Sequence, residues 1–190
     1  MKTNKNGKDR SCFIILIPHR DALNHLAAYR EKLFAAGFYG AYSFPAAAPL
    51  AELKRPLNRE ELKETAKNLR GMTGENEGKF RCGGTSVIYD AGKFSFLGLL
   101  LNLPAGEGIF PAAARVKVLK SFVPPLLCAA LIRPDEIPPG NNSLFENAPL
   151  LSFRAAALAN LAIRPLDTGE PNYSFKWNMS PPVWLPAYKK

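Results

Sequence analysis

The sequence predicts an α+β fold built mostly from antiparallel strands. Two segments space their apolar residues as amphipathic helices do, and a third begins at a proline, which favours the first helical position. About eight short apolar runs predict strands, separated by turns rich in Gly, Pro and Asn. Two of these runs flank residues 90–93, whose Asp-Ala-Gly-Lys sequence is typical of a hairpin turn. Two or three helices mixed with hairpin strands favour the α+β class.

The first predicted strand and helix follow each other directly. Residues 12–18 are a β-branched apolar run, typical of a strand buried on both faces. Asp21 is placed to cap a helix over residues 22–36, because its carboxylate can accept unpaired N–H groups of the first turn, and Gly37 ends it. The buried face of this helix consists of Leu26, Tyr29 and Leu33. Three charged residues are expected to face mostly outward: Arg30, Glu31 and Lys32.

The second helix comes after a strand predicted at residues 39–44. It begins at Asn58, since Glu61 lies three residues later, as in a capping box, and it ends at Gly71. Its buried stripe consists of Leu62, Ala66 and Leu69. Two strands then form the predicted hairpin: residues 80–89 and 94–103.

The C-terminal half is predicted to contain one helix and three strands. Pro111 predicts the start of a helix that reaches Phe122, although residues 116–119 also suit a strand. The strands cover residues 126–132, 158–163 and 173–179. A long loop rich in Pro and Asn is expected over residues 133–149. Trp184 is expected to pin the C-terminal tail to the body by burying its large ring.

The distribution of charge argues against a groove for single-stranded nucleic acid in the body of the chain, and the length of the apolar runs argues against a membrane-spanning segment. The formal net charge of +9, from 25 basic and 16 acidic residues, can draw a protein toward phosphate or anionic lipid. More than half of this charge lies in the first ten residues and the two C-terminal lysines. The body has no run of five basic residues and no basic residues interleaved with aromatics, as a single-strand groove requires. No apolar run approaches the ~20 residues that cross a bilayer.

Neither the cysteines nor the histidines predict a metal site or a redox cofactor. The three cysteines are far apart, with no C-x-x-C pair, so we expect neither a disulfide framework nor a zinc site. We therefore expect the protein to reside in the reducing cytoplasm. The three cysteines are Cys12, Cys82 and Cys128. His19 and His25 lie six residues apart, about 120° around one helix, and do not converge on a metal or substrate. We therefore expect no metal and no cofactor.

Two windows of the sequence echo each other. Residues 44–56 (F-P-A-A-A-P-L-A-E-L-K-R-P) and 122–134 (F-V-P-P-L-L-C-A-A-L-I-R-P) align without a gap, each after a predicted helix. The echo is either chance in a chain rich in Ala, Pro and Leu or the mark of a duplicated lobe. A duplication would bring two equivalent strands together around a pseudo-twofold axis, where they would line a shared cleft.

These windows contribute to a family resemblance. With the first strand and helix (F-I-I-L-I-P-H-R-D-A-L) and the segment L-S-F-R-A-A-A-L-A-N-L-A-I, followed by N-Y-S-F-K-W, the sequence resembles the 2H phosphoesterase superfamily. This is the fold of the 2′-5′ RNA ligase-like and cyclic phosphodiesterase proteins, and the resemblance is in the order of elements over most of residues 12–179. It implies two pseudo-symmetric lobes of antiparallel strands with helices outside. The expected organisation is a disordered basic N-terminus at 1–11, a bilobal domain at 12–180 and a tail at 181–190.

The resemblance implies a catalytic apparatus that this sequence lacks. In that family each lobe contributes a strand with a His-x-Thr/Ser motif. The histidines act as general base and general acid on a cyclic phosphate or phosphodiester, and the hydroxyls bind the phosphoryl oxygens. Here the aligned residues are Ala47-Ala48-Pro49 and Pro125-Leu126-Leu127, which cannot move a proton. We therefore expect that the two-histidine mechanism of the family does not operate in this chain, and loss of catalysis is favoured over an enzyme that uses other residues.

The first functional hypothesis is a domain that has lost catalysis but binds a nucleotide, an RNA end or another phosphate-bearing ligand between its lobes. The degenerate motif positions that would line this cleft are Ala47, Pro49, Pro125 and Leu127. Arginine suits bidentate phosphate recognition, and four arginines lie in or near the predicted strands. These are Arg55, Arg81, Arg133 and Arg154.

Two alternatives stay open. Residues 46–50 and 124–130 are apolar where the family motifs are hydrophilic, so a protein-interaction or scaffold module could bind an apolar partner segment there. The other alternative is a phosphodiesterase with non-standard catalytic residues, in which His19 acts beside Asp21 or Tyr42. The salt dependence of the binding affinity distinguishes the first hypothesis from the interaction module. Binding of a phosphate weakens steeply as the salt concentration rises, whereas binding of an apolar segment does not.

Overall fold

The computed structural model describes residues 9–37, 45–73, 79–90, 95–102, 108–122, 125–132, 150–165 and 173–185. Its helices are α1 (Arg20–Ala35), α2 (Arg59–Thr73) and α3 (Ala112–Arg115). Its strands are β1 (Asp9–Pro18), β2 (Ala48–Leu53), β3 (Lys79–Asp90), β4 (Ser95–Leu101), β5 (Val118–Ser121), β6 (Leu126–Ile132), β7 (Leu150–Pro165), β8 (Tyr173–Met179) and β9 (Val183–Trp184). The α+β class predicted from the sequence is confirmed. The predictions at residues 39–44, 133–149 and the hairpin turn lie outside the described residues.

All nine strands belong to one sheet, and every described pairing is antiparallel. The main path runs β5-β2-β1-β7-β3-β4-β6, while β8 and β9 pair with further parts of β7. The predicted hairpin is confirmed as the pairing of β3 with β4. The sheet curls into a half-barrel, since Cys128 in β6 returns to Ala47 at the start of β2.

Both faces of β1 are buried, as its continuous apolar sequence predicts. Ile14 and Leu16 belong to a large core cluster that also holds the buried residues of α1 and α2. Phe13 and Ile15 face the other way, into a smaller cluster. The other buried members of the smaller cluster are Ala47, Phe122, Leu126, Cys128, Ala157, Ala159 and Leu161. The sheet is therefore covered on one face by helices and filled on the other by its own curled strands.

Helix α1 has the predicted buried face and the predicted end, but not the predicted cap. Leu26, Tyr29 and Leu33 are buried, and Gly37 adopts φ +89°, the left-handed conformation that terminates a helix. The helix begins at Arg20, so the residue at the N-cap position is His19, whose side chain makes no capping hydrogen bond. The prediction of Asp21 as the cap is therefore wrong. Its carboxylate accepts hydrogen bonds from Ser152 on β7, in addition to backbone N–H groups of the first turn.

Helix α2 has the predicted capping box. The N–H of Asn58 donates to Glu61 Oε2 at 2.7 Å, and the N–H of Glu61 donates to Asn58 Oδ1 at 2.9 Å. The predicted stripe is buried: Leu62, Ala66 and Leu69. The predicted end is wrong, because Gly71 does not adopt a left-handed conformation and the helix continues to Thr73.

The helix predicted from Pro111 to Phe122 is also wrong in extent. Helix α3 is a single turn, and the chain then forms β5, which pairs with β2. Residues of β5 alternate between half-buried and exposed with the two-residue period of a strand. The strand alternative for residues 116–119 is thus nearer to the structure, because pairing with β2 overrides a weak helical pattern.

The C-terminal tail is attached differently from the prediction. Trp184 is 48% exposed, so its ring is not the anchor. Instead β9 pairs with β7 through Trp184 opposite Ala155 and Val183 opposite Ala156, and Leu185 is buried in the large core cluster. Strand β7 itself is longer than the predicted strand at residues 158–163, since its alanine-rich first half is also part of the sheet.

Candidate functional site

The two echoing windows meet in the fold. The N–H of Cys128 in β6 donates to the carbonyl of Ala47, just before β2, at 2.9 Å. The side chains of both residues are buried in the smaller core cluster, beside Phe122. We call the contact between residues 47–50 and 125–129 the seam. It joins two strands that are separated by four others along the main path of the sheet.

The degenerate motif positions are buried at the seam. None of the four side chains is exposed: Ala47, Pro49, Pro125 and Leu127. Ala47 packs in the smaller cluster and Leu127 in the larger one, so these two do not face a common surface. The apolar residues suggested as a groove for a partner segment are likewise core residues where they are described. At these positions the seam carries no acid, base or hydroxyl group, and its contribution is packing.

Both strands that meet at the seam contain a β-bulge. In the pairing of β1 with β2, Ile14 lies opposite Ala51 and Ile15 opposite Pro49, so Leu50 is the extra residue of β2. The carbonyl of Leu50 accepts a hydrogen bond from Phe122 N–H at 2.8 Å. The pairing of β4 with β6 has a similar bulge, in which Ala129 has no residue opposite. The bond from Phe122 continues the pairing of β2 with β5, whereas the carbonyl of Ala129 takes its donor from outside the strand ladder.

Arg30 supplies the donor for β6. Its Nε donates to the carbonyl of Ala129 at 2.9 Å, and its Nη2 donates to the carbonyl of Cys128 at 3.4 Å. The side chain is half-buried, so the prediction that Arg30 faces outward is wrong. Its spacing contains a signal, because a residue four after Leu26 and one after Tyr29 lies beside the buried stripe. Helix α1 thus provides hydrogen-bond donors for two backbone carbonyls of β6 beside the seam.

The arginines proposed for phosphate recognition lie on different parts of the sheet. Arg55 follows β2, Arg81 lies on β3 and Arg154 on β7, and all three are exposed. Arg133 lies outside the described residues. Arg154 is the one with an aromatic contact among the described residues, to Trp184. The structure therefore presents exposed guanidinium groups but does not place them at the seam.

A polar cluster lies where β1 ends and α1 begins. The hydroxyl of Ser152 donates to Asp21 Oδ2 at 2.8 Å, and the N–H of Ser152 donates to the same oxygen at 3.2 Å. His19 Nδ1 lies 3.6 Å from Asp21 Oδ1, and the N–H of His19 donates to the carbonyl of Ser152 at 2.8 Å. Sequence reasoning missed Ser152, because nothing in the sequence shows that β7 pairs with β1.

The order of groups in this cluster does not suit nucleophilic catalysis. The carboxylate stands between serine and histidine, so the Ser152 hydroxyl donates to an acid group and not to an imidazole base. Burial raises the pKa of Asp21, but the hydrogen bonds from Ser152 and from backbone N–H groups outweigh it and hold that pKa below its usual value. A carboxylate that stays ionised is a poor proton donor near neutral pH. The cluster therefore ties α1 to β7, and Tyr42 lies outside the described residues.

The described part of the chain contains no group of three His, Cys, Asp or Glu residues placed to hold a metal ion. None of its helices combines the length and the apolar character that spanning a bilayer requires.

Comparison with family models, with curated proteins and with solved structures gives no significant match to this chain.

Proposed function

We propose that the chain is a non-catalytic 2H phosphoesterase-like domain that binds a nucleotide, an RNA end or another phosphate-bearing ligand without converting it. The proposal rests on the sequence resemblance and on the meeting of the two windows at the seam. Because the degenerate motif positions are buried, the ligand has to bind outside the seam. The exposed arginines offer the charge that a phosphate needs.

The hydrogen bond between Cys128 and Ala47 is the observation that carries the proposal. Two windows that echo each other in sequence come together in space although four strands separate them in the sheet. This is the arrangement expected of two equivalent strands in a two-lobed fold. With Ala, Pro and Leu at the motif positions, the same arrangement offers no group that titrates near neutral pH.

The pairing pattern gives further support for a duplication. In the first half, α1 separates β1 from β2, and these strands pair antiparallel. In the second half, α3 and β5 lie between β4 and β6, which also pair antiparallel. Each pairing contains a bulge, at Leu50 and at Ala129. Two antiparallel pairs with a helix between their strands favour the proposed two-lobed origin, although the second also contains β5.

Thermal unfolding in the presence of phosphate-bearing compounds tests the proposal. The probes are adenosine monophosphate, adenosine 2′,3′-cyclic phosphate and a short single-stranded RNA, each at low and high salt. We expect an increase in the unfolding temperature that is lost at high salt, because phosphate contacts are replaced by ions. Chromatography of the used probes should recover them unchanged.

Two results would contradict the proposal in different ways. Conversion of the cyclic phosphate would show catalysis and direct attention to His19 and the polar cluster. If no probe raises the unfolding temperature at low salt, the hypothesis of a phosphate-bearing ligand is excluded and the interaction module is favoured. Inorganic sulfate at the same ionic strength controls for general anion effects.

A further inference from the structure

Arg154 and Trp184 form an exposed pair on the outside of the sheet. The guanidinium carbon of Arg154 lies 5.9 Å from the centroid of the Trp184 ring, at the edge of the cation–π range. Arg154 is exposed, and Trp184 is 48% exposed. Such a large aromatic surface beside a cation has the chemistry that binds a nucleobase and its phosphate.

Arg154 interrupts a deeply buried segment of β7. Every other residue of the segment 151–159 is buried. Ile17 of β1 lies opposite Ala155 and Pro18 opposite Phe153, so Arg154 is the extra residue of a β-bulge. A bulge redirects a side chain, and here it places one charged residue on the surface of a core strand. Packing alone would not require an arginine at this position.

The ring of Trp184 is held in place by its backbone and not by burial. Trp184 lies opposite Ala155 in the pairing of β9 with β7, and the N–H of Leu185 donates to the carbonyl of Arg154 at 2.9 Å. Val183 and Leu185, on either side, pack against the large core cluster. The bulged residue thus binds the tail through its carbonyl and contacts the tryptophan through its guanidinium group. The two side chains are positioned before any ligand arrives, which lowers the entropy cost of binding.

We propose that Arg154 and Trp184 form a binding site for a nucleobase-bearing phosphate, with the base stacked on the indole and the phosphate bound by the guanidinium. The site rests on the proposed function and gives it a location. A mononucleotide and the end of a single-stranded RNA share this chemistry. The net charge of +9 favours the approach of either anion.

Tryptophan fluorescence of the full chain tests the site. Trp177→Phe leaves Trp184 as the only tryptophan, and stacking of a base should quench its emission. The probes are adenosine monophosphate, ribose 5-phosphate, adenosine and a short single-stranded RNA. We expect adenosine monophosphate to bind more tightly than ribose 5-phosphate, which lacks the base, and than adenosine, which lacks the phosphate. Tighter binding of the RNA than of the mononucleotide would identify an RNA end as the source of the ligand.

Binding to variants, measured by calorimetry, separates this site from general attraction. Trp184→Ala and Arg154→Gln should each weaken nucleotide binding about tenfold. Arg20→Gln and Arg59→Gln remove the same charge from other exposed positions and are the matched controls, with an expected change of less than about twofold. Arg154→Gln should also reduce the salt dependence of binding, since one phosphate contact is lost.

The outcomes distinguish the site from the proposed function. Nucleotide binding that is unchanged in Arg154→Gln and Trp184→Ala would overturn the site and leave the function standing. Equal weakening by all three arginine substitutions would also overturn it, in favour of diffuse attraction. No binding to the unaltered chain would overturn both. Unfolding of each variant should remain cooperative, which shows that lost binding does not come from a lost fold.

Discussion

At the scale of single residues, Gly98 decides how closely β4 and β6 can approach. A Cβ at this position would collide with the carbonyl oxygen of Leu127 and lie 2.8 Å from Leu126 Cδ1. The carbonyl is part of the ladder and cannot rotate away as a side chain does. Glycine is therefore required here by the space between two strands and not by a special turn.

We expect Gly98→Ala to lower the free energy of unfolding by about 2 kcal/mol, because the strands have to separate to admit the methyl group. Urea denaturation measures the change. Gly71→Ala is the control: no atom lies within 4 Å of its added Cβ, and it should stabilise α2 by about 0.5 kcal/mol or more. Equal effects of the two substitutions would contradict the close approach of β4 and β6.

The ion pair between Glu61 and Lys117 is a second feature at the residue scale. Lys117 Nζ donates to both carboxylate oxygens, at 2.6 and 2.5 Å, and the side chains are only 14% and 11% exposed for lysine and glutamate. The hydrogen bond from Lys117, together with that from Asn58 N–H, holds the pKa of Glu61 below its usual value against the opposing effect of burial. The pair fastens α2 to the residue before β5.

This pair should make stability depend on pH. Folding lowers the pKa of Glu61, so its contribution is fully present above the unfolded value of about 4.5 and is lost as the pH falls through the folded-state pKa. Glu61→Gln should therefore cost about 3 kcal/mol near neutral pH, since it removes the opposite charge from the half-buried Lys117, and less in acid. Unfolding curves of both proteins across this pH range measure the difference.

Glu60→Gln is the matched control for Glu61→Gln. Glu60 accepts a hydrogen bond from Lys63 at 2.7 Å, but the glutamate side chain is 78% exposed. An exposed pair of this kind contributes little, so the cost should stay within about 0.5 kcal/mol and show no comparable change with pH. A flat difference between Glu61→Gln and the unaltered protein from acid to neutral pH would contradict the role of the ion pair.

At the scale of elements, α1 stabilises a strand with which it shares no ladder. Arg30 donates to the carbonyls of Ala129 and Cys128, on the side of β6 away from β4. Arg30→Met keeps much of the side-chain volume but removes the donors, and we expect a loss of about 2 kcal/mol. Lys67→Met on the exposed face of α2 is the control and should have little effect.

Hydrogen exchange gives a local measurement of the same interaction. The amide of Cys128 is bonded to Ala47 across the seam, and its protection should fall in Arg30→Met more than that of Ile14, inside β1. Uniform loss of protection at both amides would mean that Arg30 stabilises the whole fold and not the seam.

Elements were predictable where one local pattern dominated. The stripe of α2 and its capping box depend on residues three or four apart, so Asn58, Glu61 and Leu62 suffice to place the start of the helix. The region after Pro111 was not predictable in this way. Val118 favours a strand only because β2 offers a partner, and that partner is more than sixty residues away in the chain.

At the scale of the whole molecule, the fold class followed from the periodicity and the sheet order did not. The strands themselves carry the two-residue or fully apolar patterns that predict them. Nothing in those patterns indicates that β7 lies between β1 and β3, or that β6 curls back to β2. The meeting of the two windows was foreseen only as a consequence of the sequence echo. The Arg154–Trp184 pair depends on a bulge and on tail pairing, which the sequence does not reveal.

The central position of β7 has a consequence for how the chain folds. Strands β5, β2 and β1 lie on one side of it and β3, β4 and β6 on the other, and the described strands of the two groups are joined only through β7 and the seam. Residues 150–165 leave the ribosome after all six of those strands. Until then β1 and β3 each keep an unpaired edge, which can pair with the wrong strand. The strand that the sheet needs at its centre is therefore synthesised after the six strands on either side of it, and productive folding of the sheet has to wait for residues 150–165.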